Sequence, residues 1–327
     1  MFDSMFVSKP IFQPPTEEMR HLPECPRWLR NYPGSSTLLG WVTIQHGPDR
    51  QDGSIHIFDW STGRNRTFDL SGRPGFFVET TEPGVVLIGL ERRLVLFDLL
   101  RGELREPGIL VTRDERVIIN DGIAIPGGVI FGTKDLAFHD PIATLYHFDC
   151  NTRHLSTIMG GQFCSNGKYF YRDTNSWTLV DIDSTPKSIV SYRLSESLDR
   201  IISRHPIVRP DSLPAIPDGL CATPDGTGVI VAFFNPAAAA DGIAQQIRLA
   251  DGEVENEWKV PGSPRVTRPE LVRMNGEVCL ILTTAVEGMS DEIRAMAPEA
   301  GSLFVAPTPF HDVPPDPPLP LTAAFSR

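Results

Sequence analysis

The chain has 327 residues, 41% of them hydrophobic and 22% charged, with a formal net charge of -11 and a pI near 5.2, a balance that supplies a large core and excludes a disordered chain. The acidic excess argues against a phosphate-backbone partner, which needs clustered Lys and Arg, and no segment approaches the roughly 20 apolar residues that cross a bilayer. Five scattered cysteines (Cys25, Cys150, Cys164, Cys221, Cys279) contain no C-x-x-C pair and indicate neither a disulfide framework nor a zinc cage, so the expectation is a soluble, cytoplasmic monomer or small homo-oligomer with no nucleic-acid and no membrane partner.

Residues 1–15 hold no convincing strand and read as an N-terminal extension. From there, short runs rich in Val, Ile, Phe and Tyr follow one another, among them TLLGWVTI (37–44), SIHIFDW (54–60), VVLIGL (85–90), GVIFGT (128–133), KYFYRD (168–173), GVIVAFF (228–234) and VCLILTT (278–284). Their length and composition are those of strands. Asp52-Gly53, Asn166-Gly167, Asp225-Gly226, Asp251-Gly252 and Asn275-Gly276 supply residues that tolerate positive φ and predict tight hairpins. NPAAAADGIAQQ (235–246) reads as an inserted loop, EGMSDEIRAMAPEA (287–300) as a helical turn or two, and the proline-rich 309–327 as an extended tail. The chain is therefore all-β.

IHIFDWSTG, LVLFDLLRG, LYHFDCNT and WTLVDIDST share an apolar-x-apolar-Asp pattern followed by turn residues. Such irregularly spaced units are the trace of a β-propeller, whose blades are four-stranded meanders around a central channel. The repeated aspartates are expected to cap turns.

The signatures G-x-S-x-G, H-E-x-x-H, G-x-x-x-x-G-K-[ST] and G-x-G-x-x-G are absent, which removes the usual support for serine-hydrolase, zincin and nucleotide-fold chemistry. What stands out is a set of polar residues in apolar or turn-rich settings: Glu24 in LPECPRW, Asn120 and Asp121 in VIINDGIAIPGG, and Asp218 in IPDGLC. Taken singly, each reads as an ordinary turn or surface residue. His21, His46, His139 and His205 offer a rival general base, Cys164 a channel-facing thiol, and Asp173 a plain strand-end acid.

In order along residues 20–306, Pro23-Glu24-Cys25-Pro26-Arg27-Trp28, Ile118-Ile119-Asn120-Asp121-Gly122, Gly132-Thr133-Lys134, Pro217-Asp218-Gly219 to Asp225-Gly226, and RAMAPEAGSLF resemble the motif series of the regucalcin/gluconolactonase family. The resemblance implies a six-bladed propeller over 16–308 and a divalent-metal-dependent lactonase. It makes Glu24 and Asp218 metal ligands, joined by Asn120, and places Asn120, Asp121 and Gly160 against substrate. Oxygen donors of this kind suit Ca²⁺, Mg²⁺ or Mn²⁺ over Zn²⁺, with Ca²⁺ favoured, and Asp218 is also placed to accept a proton. Two family features are not matched: Ile118 stands where a substrate-binding Arg is usual, and Gly160 stands where a further metal-binding Asn is expected, Asn166 being assigned to a hairpin. The pocket is accordingly expected to be more apolar and to take a small-molecule substrate less polar than an aldonolactone. The alternatives are the same metal pocket used for phosphoester hydrolysis or a biosynthetic rearrangement, and a non-catalytic binding propeller.

Overall fold

Six antiparallel sheets, each a meander, follow one another along the chain and close into a six-bladed β-propeller. The structure, a computed structural model, describes residues 4–321 apart from 35, 174 and 175. The innermost strands are Pro23–Trp28, Pro74–Glu79, Val117–Ile125, Ser165–Asp173, Ile216–Ala222 and Val266–Met274. Second strands such as Val85–Leu90 are buried along their whole length, which is why they read as unbroken apolar runs. Outer strands such as Arg64–Leu70 are exposed or half-buried along all but their last residue because they meet water at the edge of the blade. No helix among the described residues is long and apolar enough to cross a membrane.

The expected N-terminal extension is instead part of the ring. Lys9–Phe12 pairs antiparallel with Leu303–Pro307 and supplies the outermost strand of the sixth blade, while Ser4–Val7 adds a fifth, parallel strand to the fifth blade beside Val254–Pro261. These strands are four residues each and one contains Pro10, so no alternating pattern announces them. The expected tail is docked rather than free: Leu319 N–H donates to Glu79 O at 2.8 Å, Thr81 N–H donates to Leu319 O at 2.8 Å, and Arg27 Nη1 meets Asp316 Oδ2 at 2.9 Å. It lies at the end of the channel where the innermost strands finish. Residues 1–3 and 322–327 of the two expected extensions lie outside the described residues.

The turn chemistry follows expectation at Asp225-Gly226, Asp251-Gly252 and Asn275-Gly276, whose glycines have φ of 71, 75 and 86°. Gly53 instead opens a strand, Gly53–Asp59, and the predicted loop at 235–246 gives way to strand Asp241–Arg248. Asp59, Asp98 and Asp149 cap the turns that follow them, each accepting a backbone N–H two residues on at 2.7–2.9 Å. Asp183, the fourth of the series, accepts from Phe163 and Cys164 N–H and ties blade four to the strand linker before it.

All six innermost strands share one irregularity. Each shifts register against its neighbour near its start, between 24 and 27, 74 and 76, 119 and 122, 165 and 168, 217 and 220, and 266 and 268. A bulge of this kind re-aims side chains at the rim of a sheet. The six together form a ring of bulges around the channel, so close that a Cβ on Gly167 would lie 2.9 Å from Asp218 O, and one on Gly219 2.6 Å from Arg268 Cγ. Glycine is required at both positions by proximity.

Candidate active site

Four of the six bulges carry oxygen-bearing side chains that line one cavity: Glu24 from blade one, Asn120 from blade three, Asn166 from blade four and Asp218 from blade five. The other two place Gly75 and Thr267 at the corresponding points. The cavity has a volume of about 320 Å³, and its remaining wall combines Leu22, Ile44, Phe138, Cys164, Ile216 and Phe234 with Lys134, Ser184, Thr185 and Glu287. Glu24, Asn120, Asn166 and Asp218 are all buried.

The local hydrogen bonds fix the four polar groups. Glu24 Oε2 accepts from Cys25 N–H at 2.8 Å, with Cys25 held at a φ of 49° within the bulge. Asn120 Nδ2 donates to Ser165 O at 3.0 Å, which leaves its carbonyl oxygen as the acceptor. Asn166 Nδ2 donates to Asp218 Oδ1 at 2.5 Å and to Ser184 Oγ at 3.1 Å. Beneath it, the buried Lys168 Nζ donates to Asn166 O at 2.6 Å and pairs with Asp181 at 3.1 Å, which pins the bulge backbone from below.

Asp121 does not line the cavity. Its carboxylate forms a buried ion pair with Arg268 of blade six and accepts from Gly122 N–H. Gly160 is likewise displaced from the site: it pairs with Thr144 on the outermost strand of blade three and is exposed. The amide expected at its position is Asn166, which lies in an innermost-strand bulge rather than a hairpin. Nor is the pocket without a cation. Lys134 lies directly across the strand pair from Ile118 and lines the cavity, 6% exposed.

The rival nucleophiles and bases fall away. Burial pushes the Cys164 thiol up to about 12, so it stays protonated. His21, His46, His139 and His205 do not line the cavity, and His46 is engaged by Asp52 and Ser54. Asp173 is exposed at the far end of its strand.

Burial pushes Glu24 up to about 7; Arg268 opposes the shift and Asp121 adds to it. Asp218 is raised well above the usual carboxylate range, by burial first and then by the charge of Glu24. Two acids thus repel one another in a dry site. Among the described residues no trio of His, Cys, Asp and Glu could hold a metal, so the two carboxylates need the amide oxygens beside them. An all-oxygen donor set with two uncompensated buried acids fits a hard divalent ion.

Because the folded chain binds protons at these acids more tightly than the unfolded chain, the metal-free protein loses stability as pH rises from about 4.5 through about 7. Melting curves of chelated wild type and Glu24→Gln at pH 5 and pH 8 check this. Wild type should lose ground against the variant at the higher pH, and added Ca²⁺ should restore it.

A family model for the SMP-30/gluconolactonase/LRE-like region matches residues 22–285, which span all four cavity donors. The chain belongs to this family. Within the SMP-30/gluconolactonase/LRE-like proteins it is 26% identical over 277 residues to an L-arabinolactonase of Azospirillum brasilense, covering 83% of this chain and 84% of that one. Its fold matches the calcium-binding protein regucalcin of Agrobacterium tumefaciens (TM-score 0.77, 17% identity, 97% and 98% of the two chains). It also matches a luciferin-regenerating enzyme (TM-score 0.69, 18% identity, 90% and 94%).

Proposed function

We propose that the protein is a divalent-metal-dependent lactonase that hydrolyses a cyclic ester to a hydroxy acid. The observation that carries this reading is the convergence of Glu24 and Asp218 with the Asn120 and Asn166 carboxamides on one apolar cavity. Glu24, Asp218, Asn120 and Asn166 would hold the ion, Ca²⁺ favoured, which supplies Lewis acidity toward the ester carbonyl and lowers the pKa of water. Membership in a family with a lactonase relative supports the same reaction class.

The chain's own residues supply the rest. Asp218, raised above the usual carboxylate range by its burial, accepts the proton of the attacking water as the C–O bond to the carbonyl carbon forms. When the ring C–O bond breaks, the alkoxide takes that proton back and the product leaves as a hydroxy acid. Asn166 holds Asp218 Oδ1 in place during both transfers. The walls formed by Leu22, Ile44, Phe138 and Phe234 favour a carbon skeleton over a polyhydroxylated one.

A pH-indicator assay over aldonolactones, aliphatic lactones and aryl phosphotriesters, with Ca²⁺, Mg²⁺, Mn²⁺ or Zn²⁺ and after chelation, tests this. Metal-dependent turnover of lactones, aliphatic ahead of sugar-derived, is expected. Turnover of phosphotriesters alone, or full lactone activity after chelation, would sink it.

A further inference from the structure

Lys134 is a buried ammonium without an anion. It sits 6% exposed on the second strand of blade three, Gly128–Asp135, and lines the cavity opposite Glu24 and Asp218 in charge. It makes no hydrogen bond and no ion pair among the described residues; its one close partner is the face of Phe138, with Nζ 5.6 Å from the ring centroid. An aromatic face offsets only part of what a buried charge loses on leaving water.

Phe138 is itself held in place for this contact. It adopts a φ of 53°, a region unfavourable for a bulky side chain. The turn is imposed by Asp135, whose carboxylate accepts from the N–H groups of Ala137, His139 and Asp140 at 3.2, 2.8 and 2.8 Å. The loop therefore presents an aromatic ring over the ammonium instead of an acid. Glu24 and Asp218 are turned to the divalent ion, and Glu287, the third acid lining the cavity, makes no ion pair with Lys134 among the described residues.

We propose that Lys134 binds a free carboxylate on the substrate, so that the enzyme selects lactones whose ring bears an acidic substituent and an otherwise apolar skeleton. This rests on the lactonase reading and narrows its substrate class. The ring ester faces Asp218, the carboxylate faces Lys134, and the ring carbons lie against Phe138, Ile44 and Phe234. Lys134 is thus a specificity-determining residue.

The test compares γ-butyrolactone-γ-carboxylate with γ-valerolactone, which has a methyl group in its place, on wild type, Lys134→Met and Lys134→Arg. Wild type should prefer the carboxylate-bearing lactone, and Lys134→Met should shrink the ratio of kcat/KM at least about tenfold through KM, with Lys134→Arg retaining part of it, as loss of a charge-assisted hydrogen bond predicts. Cyclopentanecarboxylate, which has no ester to hydrolyse, should bind the metal-loaded wild type by calorimetry at least about tenfold more tightly than Lys134→Met. The binding arm reads Lys134 even if no lactone is turned over, which separates failure of the lactonase reading from failure of this one. An unchanged ratio, equal losses on both lactones, or equal binding of cyclopentanecarboxylate by the two proteins overturns the proposal.

Discussion

Asp218→Asn is expected to lower kcat/KM for lactone hydrolysis by about 10³-fold, since in the proposed mechanism it removes the proton acceptor and one of two charged ligands at once. The same change should not destabilise the metal-free fold. Asp218 is buried beside Glu24 and its charge is disfavoured there, so a neutral amide of the same shape relieves repulsion. In wild type, Ca²⁺ at a hundred times its Kd should stabilise by about 2.7 kcal/mol through mass action, and that increment should vanish in the variant. Thermal melts with and without Ca²⁺, alongside kinetics, read both effects. Retained turnover with a lost Ca²⁺ increment would remove the metal from the reaction and leave it a structural role.

The second large effect concerns stability. Arg268→Met leaves Asp121 buried with no counter-charge, and truncating one partner of such a pair costs about 3–5 kcal/mol. Burial works against the charge of Arg268, but Asp121, Cys25 and Glu24 together outweigh it and hold the guanidinium above its usual range. The double variant Asp121→Asn with Arg268→Met should recover much of the loss, because the uncompensated acid is gone. Denaturant titration of the two single variants and the double completes the cycle; additive losses would show that the pair is not coupled. Arg268 also lowers the pKa of Glu24, so Arg268→Met should weaken divalent-ion binding even at temperatures where it stays folded.

The hairpin dipeptides and apolar runs made the blades legible, and the order of short motifs singled out Glu24, Asn120 and Asp218, all of which line the cavity. Asn166 was lost because Asn-Gly before an apolar strand is also the best two-residue turn signal. Its pattern, an amide followed by glycine and an apolar run, matches Asn-Asp-Gly at 120 and Pro-Asp-Gly at 218, and that three-way match was the available signal. The motif match puts Gly160 at the amide's position, but strand order puts it at the outer edge of blade three. Lys134 and Arg268 are single bases in strands, a pattern that sequence alone assigns to a solvated face; only register shows them buried. Lys9–Phe12 was invisible because its pairing partner lies almost 300 residues away, and local pattern carries no trace of it.

That late pairing governs when the protein can become functional during synthesis. Glu24 and Asp218 belong to blades one and five, and the sheet between them, going round by the seam, is the one completed by Lys9–Phe12. A nascent polypeptide lacking its final stretch has its first and fifth sheets as neighbours of a gap, so the two acids have no fixed separation and the ion has nowhere to settle. Cation uptake should therefore report the moment the circle joins, after translation has passed residue 307.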